Sequence, residues 1–425
     1  MGDRAEQAPA PGIPRSFRSL IAAWAGSLSG DGLRVVALPL LAAQIDPTPA
    51  AVAAVAVASA LPWLLIAVPA GALADRINPA RSVMIAHLVR GVVTVALMAL
   101  LLAGTVTIAL LCVVGFVITA AETFADSAAQ SLLVRTVPAP ALERANARFV
   151  TVETIALDLV GPLTGGALFV VASWLPFAVS GALFFASAAV IVPLGRLPEL
   201  ATQRQRGGPR ERLQVASGLR ELVRNSTLRV LVITVAVMAL GNAAVDGQLV
   251  LYATGTLGLS DALYPTLLAA YSVGTLIAAA SVGAISRRFR GGPVMMLALT
   301  GIGGTMLLMG LFPHPVIGWL CYAIMGLAGG TWNVLSATRR QRSTRHDMIA
   351  RVSSAFRVVA WGVNPVGAAL GGAIGEVWHV PTVFAVSGLL ILALGLLVAK
   401  SFVRAENEPP ATGFAAESGA DADRT

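Results

Sequence analysis

Residues 175–195 read LPFAVSGALFFASAAVIVPLG, without one charged side chain, and residues 196–229 read RLPELATQRQRGGPRERLQVASGLRELVRNSTLR, with eight arginines. A helix needs about 20 apolar residues to cross the hydrocarbon core of a bilayer. The first stretch meets that length, and the second, interrupted by the Gly207-Gly208-Pro209 turn, is too charged to enter lipid. Working outward from this junction, apolar runs fall at about 18–43, 50–73, 82–103, 106–130, 149–171 and 175–195 on one side. On the other they fall near 229–254, 263–285, 293–311, 316–337, 353–376 and 381–402. The pattern predicts twelve transmembrane helices: a tail over 1–17, a six-helix bundle over 18–195, a linker over 196–228, a second six-helix bundle over 229–402 and a disordered tail over 403–425.

Composition agrees. Of 425 residues 56% are apolar and 12% charged, and the mean hydropathy is +0.78. A soluble domain carries roughly a quarter of its residues as charges, so the solvent that suits this chain is lipid. Positive charge then orients the spans, because Lys and Arg in short loops stay on the cytoplasmic side. Of the 30 basic residues, 27 lie in the tails, the linker and the loops after spans two, four, eight and ten. The alternate loops, around Asp46, Gly104, Ser173, Thr256, His314 and His379, hold none. Both termini are therefore expected in the cytoplasm of a bacterial inner membrane. The basic balance reports topology, and nucleic acid is not an expected partner. A single lysine, Lys400, among so many arginines fits a GC-rich bacterial genome. Cys112 and Cys321 stand far apart in apolar runs and read as small buried hydrophobes.

The two halves repeat. Gly71-Ala72-Leu73-Ala74-Asp75-Arg76 closes span two, and Gly283-Ala284-Ile285-Ser286-Arg287-Arg288 closes span eight. Arg144-Ala145-Asn146-Ala147-Arg148-Phe149 precedes span five as Arg351-Val352-Ser353-Ser354-Ala355-Phe356 precedes span eleven. Gly161-Pro162 with Gly165-Gly166 in span five answers Pro365 with Gly371-Gly372 in span eleven. Paired repeats usually enclose a substrate site and rock about it to give alternating access.

On these residues the chain resembles the major facilitator superfamily along nearly all its length. The stretch from Gly71 through Asp75 and Arg76 to Arg81 is similar to the family signature between spans two and three, with Asn78 where a Gly is usual and Ala80 where a basic residue is usual. The resemblance implies a latch role for Asp75, Arg76 and Arg81. Ser29-Gly30-Asp31-Gly32 and Ala37-Leu38-Pro39-Leu40 in span one, with Glu122 to Gln130 in span four, resemble the branch of macrolide-efflux pumps and enterobactin exporters. Gly161-Pro162-x-x-Gly165-Gly166 is similar to the antiporter motif of drug/proton exchangers, although Leu157 stands where that motif has an upstream glycine.

The residues themselves narrow the chemistry. No GxxxxGK[ST] loop is present to hold ATP, and no DDxxD, HExxH or His cluster offers a metal or cofactor site, so neither an enzyme nor a cofactor is expected. His87, His314, His346 and His379 lack metal-ligand spacing. An ion gradient remains as the energy source, and protons suit carboxylates held in low dielectric. Charge within a span costs at least ~2.5 kcal/mol per group and is functional by default. Asp31 and Arg34 share one face of span one, either as a proton or substrate site or as a structural ion pair. Glu122 and Asp126 share a face of span four and form a proton-carrying pair or a gate, with Arg34 or Arg90 available to clamp them. Asp158 is a further coupling candidate, whereas Arg90, Glu153 and Arg357 join the gate. Asp246 follows Asn242 by one turn, and Asn242 occupies the repeat position of Asp31. Trp24, Trp63, Phe116, Phe124, Tyr252, Tyr271, Trp332 and Trp361 are candidate pocket aromatics.

The expected function is a proton-coupled exporter of a small amphipathic compound, such as a drug, antibiotic or siderophore, acting as a monomer. An uptake symporter for a nutrient and a non-transporting sensor or scaffold of the same fold stand as alternatives.

Overall fold

Apolar side chains are exposed along the outside of the helices: Leu396 and Leu397, in the middle of the last one, are 81% and 80% accessible. Such a surface aggregates in water and is satisfied by lipid tails. The computed structural model describes residues 15–66, 78–196, 210–345 and 348–404. Among these, ten helices are long and apolar enough to cross a membrane, and two shorter apolar helices complete a set of twelve. They are α1 (Arg15–Ile45), α2 (Pro49–Leu65), α3 (Pro79–Leu102), α4 (Ile108–Thr136), α5 (Leu142–Val171) and α6 (Leu175–Ile191) in the first half. The second half holds α7 (Ser226–Asp246), α8 (Tyr264–Arg288), α9 (Gly291–Leu311), α10 (Pro315–Arg342), α11 (Ile349–Gly362 and Asn364–Val377) and α12 (Val380–Arg404).

Polar side chains at the starts satisfy the orphan amides there. Thr48, Thr107 and Asn225 accept from the first turns of α2, α4 and α7. Asn78, where the family signature has a glycine, accepts from the amides of Ala80 and Arg81 and so starts α3. Helix α4 runs to Thr136 and α5 starts at Leu142, so both reach further towards the arginine-rich loop than the apolar runs predict. Between them lies one turn of 3-10 helix, Ala139–Ala141. The polar linker is not wholly irregular: Arg210–Arg224 is a helix whose Gly218 sits on Arg351 of α11.

Two of the spans are broken beside a proline. In α5 a π-helical stretch, Thr154–Val160, precedes Gly161–Pro162. Pro162 has no N–H for the carbonyl four residues back, that of Asp158. Ser272 of α8 donates its Oγ–H to that oxygen instead, at 2.7 Å. In α11 the break at Val363 stands two residues before Pro365.

Within the first half α1 packs on α5 and α6, and α3 on α4 and α6; within the second, α8 packs on α10, and α9 on α10 and α12. The halves meet along α2 against α11 and α5 against α8. Hydrogen bonds join them at the arginine-free end: Gln44 Nε2 donates to Asp261 Oδ2 at 3.2 Å, the Ala50 amide to Glu376 Oε2 at 3.1 Å, and Gln248 Nε2 to the Pro49 carbonyl at 3.0 Å. Further along, Trp63 of α2 stacks on Trp361 of α11 with ring centroids 5.2 Å apart. The three hydrogen bonds tie the halves together at the arginine-free end.

Candidate functional site

A cluster of charge is buried in the first half. Asp31 and Arg34 are one turn apart on α1 and only 1% and 9% exposed. Their own separation, 3.5 Å, is not the closest approach for either. Asp31 is held by Arg90 of α3, which also donates to Ser27 Oγ at 2.8 Å. Arg34 reaches across to Glu122 of α4, at 3.0 Å. The expected local ion pair is thus a chain, Arg90–Asp31–Arg34–Glu122, over three helices.

The surroundings keep this chain in place. The Arg90 guanidinium lies 4.1 Å from the centroid of the Phe184 ring of α6, a cation–π contact that is stronger when desolvated. Ser180, one turn before Phe184, donates to the Gly30 carbonyl at 2.8 Å. Asp126 is one turn beyond Glu122 and within electrostatic reach of Arg90. His87, one turn before Arg90, is 1% exposed, and its Nδ1 has no hydrogen-bond partner among the described residues. Three carboxyls and two guanidiniums therefore share the site. With all five ionised it carries one negative charge in excess, and a single proton makes it neutral.

Arg90, grouped by sequence with the gate, lies inside this cluster, away from the helix ends. Asp158 lies apart from it, exposed in the π-helical stretch of α5. Glu153 is exposed at the start of that stretch, and Arg81 is exposed in the first turn of α3. Asp75 and Arg76 fall outside the described residues. Gly161 and Gly165 press on the backbone of α1: a Cβ on Gly161 would stand 2.5 Å from Gly32 Cα, and one on Gly165 2.9 Å from Leu33 Cα. Gly166 faces Pro265 of α8 across the interface between halves.

A cavity of about 620 Å³ opens in the second half, between α7, α10, α11 and the inner face of α2. Its lining on α7 runs from Val235 to Gly247, roughly 18 Å at 1.5 Å per residue. Asn242 and Asp246 form its polar side there; Trp332, Asn333, Ser336 and Arg340 face it from α10, and Phe356, Arg357, Trp361 and Asn364 from α11. Arg357, expected at a gate, lines this cavity.

Of the aromatics read as pocket candidates, Trp332 and Trp361 line the cavity and Trp63 backs one of them. Trp24 instead stacks on Phe149 at 5.1 Å, and Tyr252 packs on Phe384 at 4.1 Å while donating to the Met309 carbonyl. Both are core. Sequence reasoning missed Arg340, which counted only as a topology arginine, and Asn333 and Asn364. It also missed the contacts at the arginine-free end, since isolated polar residues at helix ends carry no periodic signal.

A sequence model of the Major Facilitator Superfamily matches residues 20–364. The enterobactin exporter EntS of Shigella flexneri is 27% identical over 255 residues, covering 59% of this chain and 58% of that protein. EntS of Escherichia coli O1:K1 / APEC is 28% identical over 140 residues, covering 33% and 34%. The chain thus matches about a third to three fifths of the length of these relatives. Among solved structures, the nucleoside transporter NupG superposes with a TM-score of 0.71 at 13% identity, covering 93% of this chain and 100% of that one. A bacterial homologue of the iron transporter ferroportin in an inward-facing state gives 0.70 at 16% identity, covering 94% and 100%. At such identities the likeness is one of fold.

Proposed function

This chain belongs to the major facilitator superfamily of transporters, and from that premise we propose that it is a proton-coupled exporter of small amphipathic compounds. The observation that carries the coupling is the excess of one carboxyl over the arginines in the cluster of Asp31, Arg34, Arg90, Glu122 and Asp126, in which Asp31, Arg34 and Arg90 are buried and Glu122 and Asp126 half-buried. An uncompensated charge in low dielectric is costly. One proton per cycle removes it, and its loss restores a net charge that Arg34 and Arg90 must rearrange to meet.

Because the cluster ties α1, α3 and α4 together, proton loading alters how these helices hold one another, and the cavity beside α2 senses the change through the interface between halves. Asp158 contributes through its backbone carbonyl, which links α5 to α8. The arginine-rich loops support a cytoplasmic placement of both termini in a bacterial inner membrane. On that orientation the arginine-free end faces outward and the cavity loads from the cytoplasm. The partial likeness to enterobactin exporters supports outward transport of a compound of that size class.

Inverted membrane vesicles acidified inside test this reading. An aminoacridine dye reports the gradient, and amphipathic compounds from a panel of drugs and siderophores are added in turn. A transported compound is expected to release protons in wild-type vesicles and not in Asp31→Asn or Asp126→Asn vesicles of equal expression. Accumulation that survives collapse of the gradient would overturn proton-driven export. Uptake into right-side-out vesicles driven by an inward proton gradient would establish a symporter in its place.

A further inference from the structure

We infer that the cavity in the second half selects amphipathic anions, that is, aromatic compounds bearing a carboxylate or sulfonate-like group, which Arg340 and Arg357 bind. The inference deepens the transport reading above by naming the substrate class, and it rests on the cavity being the substrate site.

Arg340 and Arg357 face this space from α10 and α11 and lie within each other's electrostatic field. The ion pairs among the described residues all belong to the first-half cluster; neither cavity arginine has an acidic partner there. Arg340 is half-buried in the last turn of α10 and Arg357 is exposed, so the cavity wall presents two cations without an acidic partner among the described residues to an incoming anion.

The unpartnered atoms carry the same sign. Arg340 Nε is buried without a hydrogen-bond partner, and so is Nε1 of Trp332, a side chain 1% exposed. Both are donors and await an acceptor. The Arg340 guanidinium is stacked 4.3 Å from the Phe356 ring centroid, which leaves its edge free for a planar anion. Trp361, backed by Trp63, supplies an apolar wall. Towards the arginine-free end the chemistry reverses, since Asn242 Oδ1 is an unpartnered acceptor one turn from Asp246. A ligand with its anion at the arginines therefore presents an apolar body or a hydroxyl to Asp246. The volume, about 620 Å³, is in the range that drug-sized ligands occupy, roughly 300 to 1,000 Å³.

The test is calorimetric titration of the full chain in nanodiscs of zwitterionic lipid with three probes of one ring: naphthalene-2-sulfonate, 2-methoxynaphthalene and naphthalen-2-ylmethylammonium. The sulfonate is expected to bind best. Its Kd should rise about tenfold in Arg340→Gln and in Arg357→Gln, the loss typical of a charge-assisted bond, and only a few-fold in Arg340→Lys. The neutral probe should change less than about twofold across these variants. Binding needs no gradient, so the outcome is independent of proton coupling. Preference for the neutral or ammonium probe overturns the anion assignment and leaves the cavity as a site. No saturable binding of any probe overturns the substrate-site reading with it. A sulfonate Kd that rises more than about tenfold in nanodiscs of anionic lipid identifies a lipid headgroup as the resident anion and overturns the assignment to a soluble substrate.

Discussion

At the scale of single residues, burial decides which charges matter. Arg90 is 1% exposed and holds Asp31, so replacing it leaves this buried carboxylate only the longer contact to Arg34, at 3.5 Å. Arg90→Met is expected to destabilise the folded chain by about 3–5 kcal/mol. The double variant Asp31→Asn/Arg90→Gln should recover most of that loss, since neutral partners can still hydrogen-bond. Thermal unfolding in detergent checks both; equal losses in the single and double variants would show that the pair is not coupled. The membership of this cluster was half legible in the sequence. Asp31, Arg34, Glu122 and Asp126 stand out because charge in an apolar run is expensive, and their spacing puts each pair on one face. That Arg90 takes Asp31 while Arg34 takes Glu122 depends on helix rotation, to which spacing within one helix is blind.

At the scale of elements, glycines set how closely helices approach. Gly161 meets Gly32 backbone to backbone, with Ala156 and Leu157 carbonyls against Gly32 as well. Gly161→Leu is expected to force α1 from α5 and to lower stability by roughly 1–3 kcal/mol, read as reduced folded yield and melting temperature. Gly166 and Gly372 act differently, because their neighbours, Pro265 and Ala53, belong to the other half. Gly166→Val or Gly372→Val should therefore leave each bundle intact and open the arginine-free end. Faster maleimide labelling of a Cys placed at Gln44 would report it, and unchanged labelling would show that these glycines do not hold the end shut. The Gly-Pro and Gly-Gly pairs were visible in the sequence as a packing motif. Which face met α1 and which met α8 was not.

At the scale of the whole molecule, the proposed alternating access requires the arginine-free end, where hydrogen bonds tie the halves together, to open. Gln44 and Asp261 are hydrogen-bonded across the halves, so cysteines at both positions, in a background lacking Cys112 and Cys321, are expected to be joined by a short thiol-cleavable bis-methanethiosulfonate cross-linker. Cross-linking should stop transport and reduction should restore it. Full transport by the cross-linked protein would refute alternating access about this end.

Membrane residence, twelve spans and a twofold repeat were determined by the sequence itself, which also sets the expected shared side of the arginine-rich loops. All four follow from periodic or additive properties, namely run length, charge count and spacing, which survive whatever the helices do around their axes. The pairing of Arg90 with Asp31, the cavity between α7, α10 and α11, and the contacts that tie the halves together at the arginine-free end were decided only by tertiary structure. Each requires side chains from helices far apart in the chain to meet, and the rotation and tilt that bring them together are set by packing between helices.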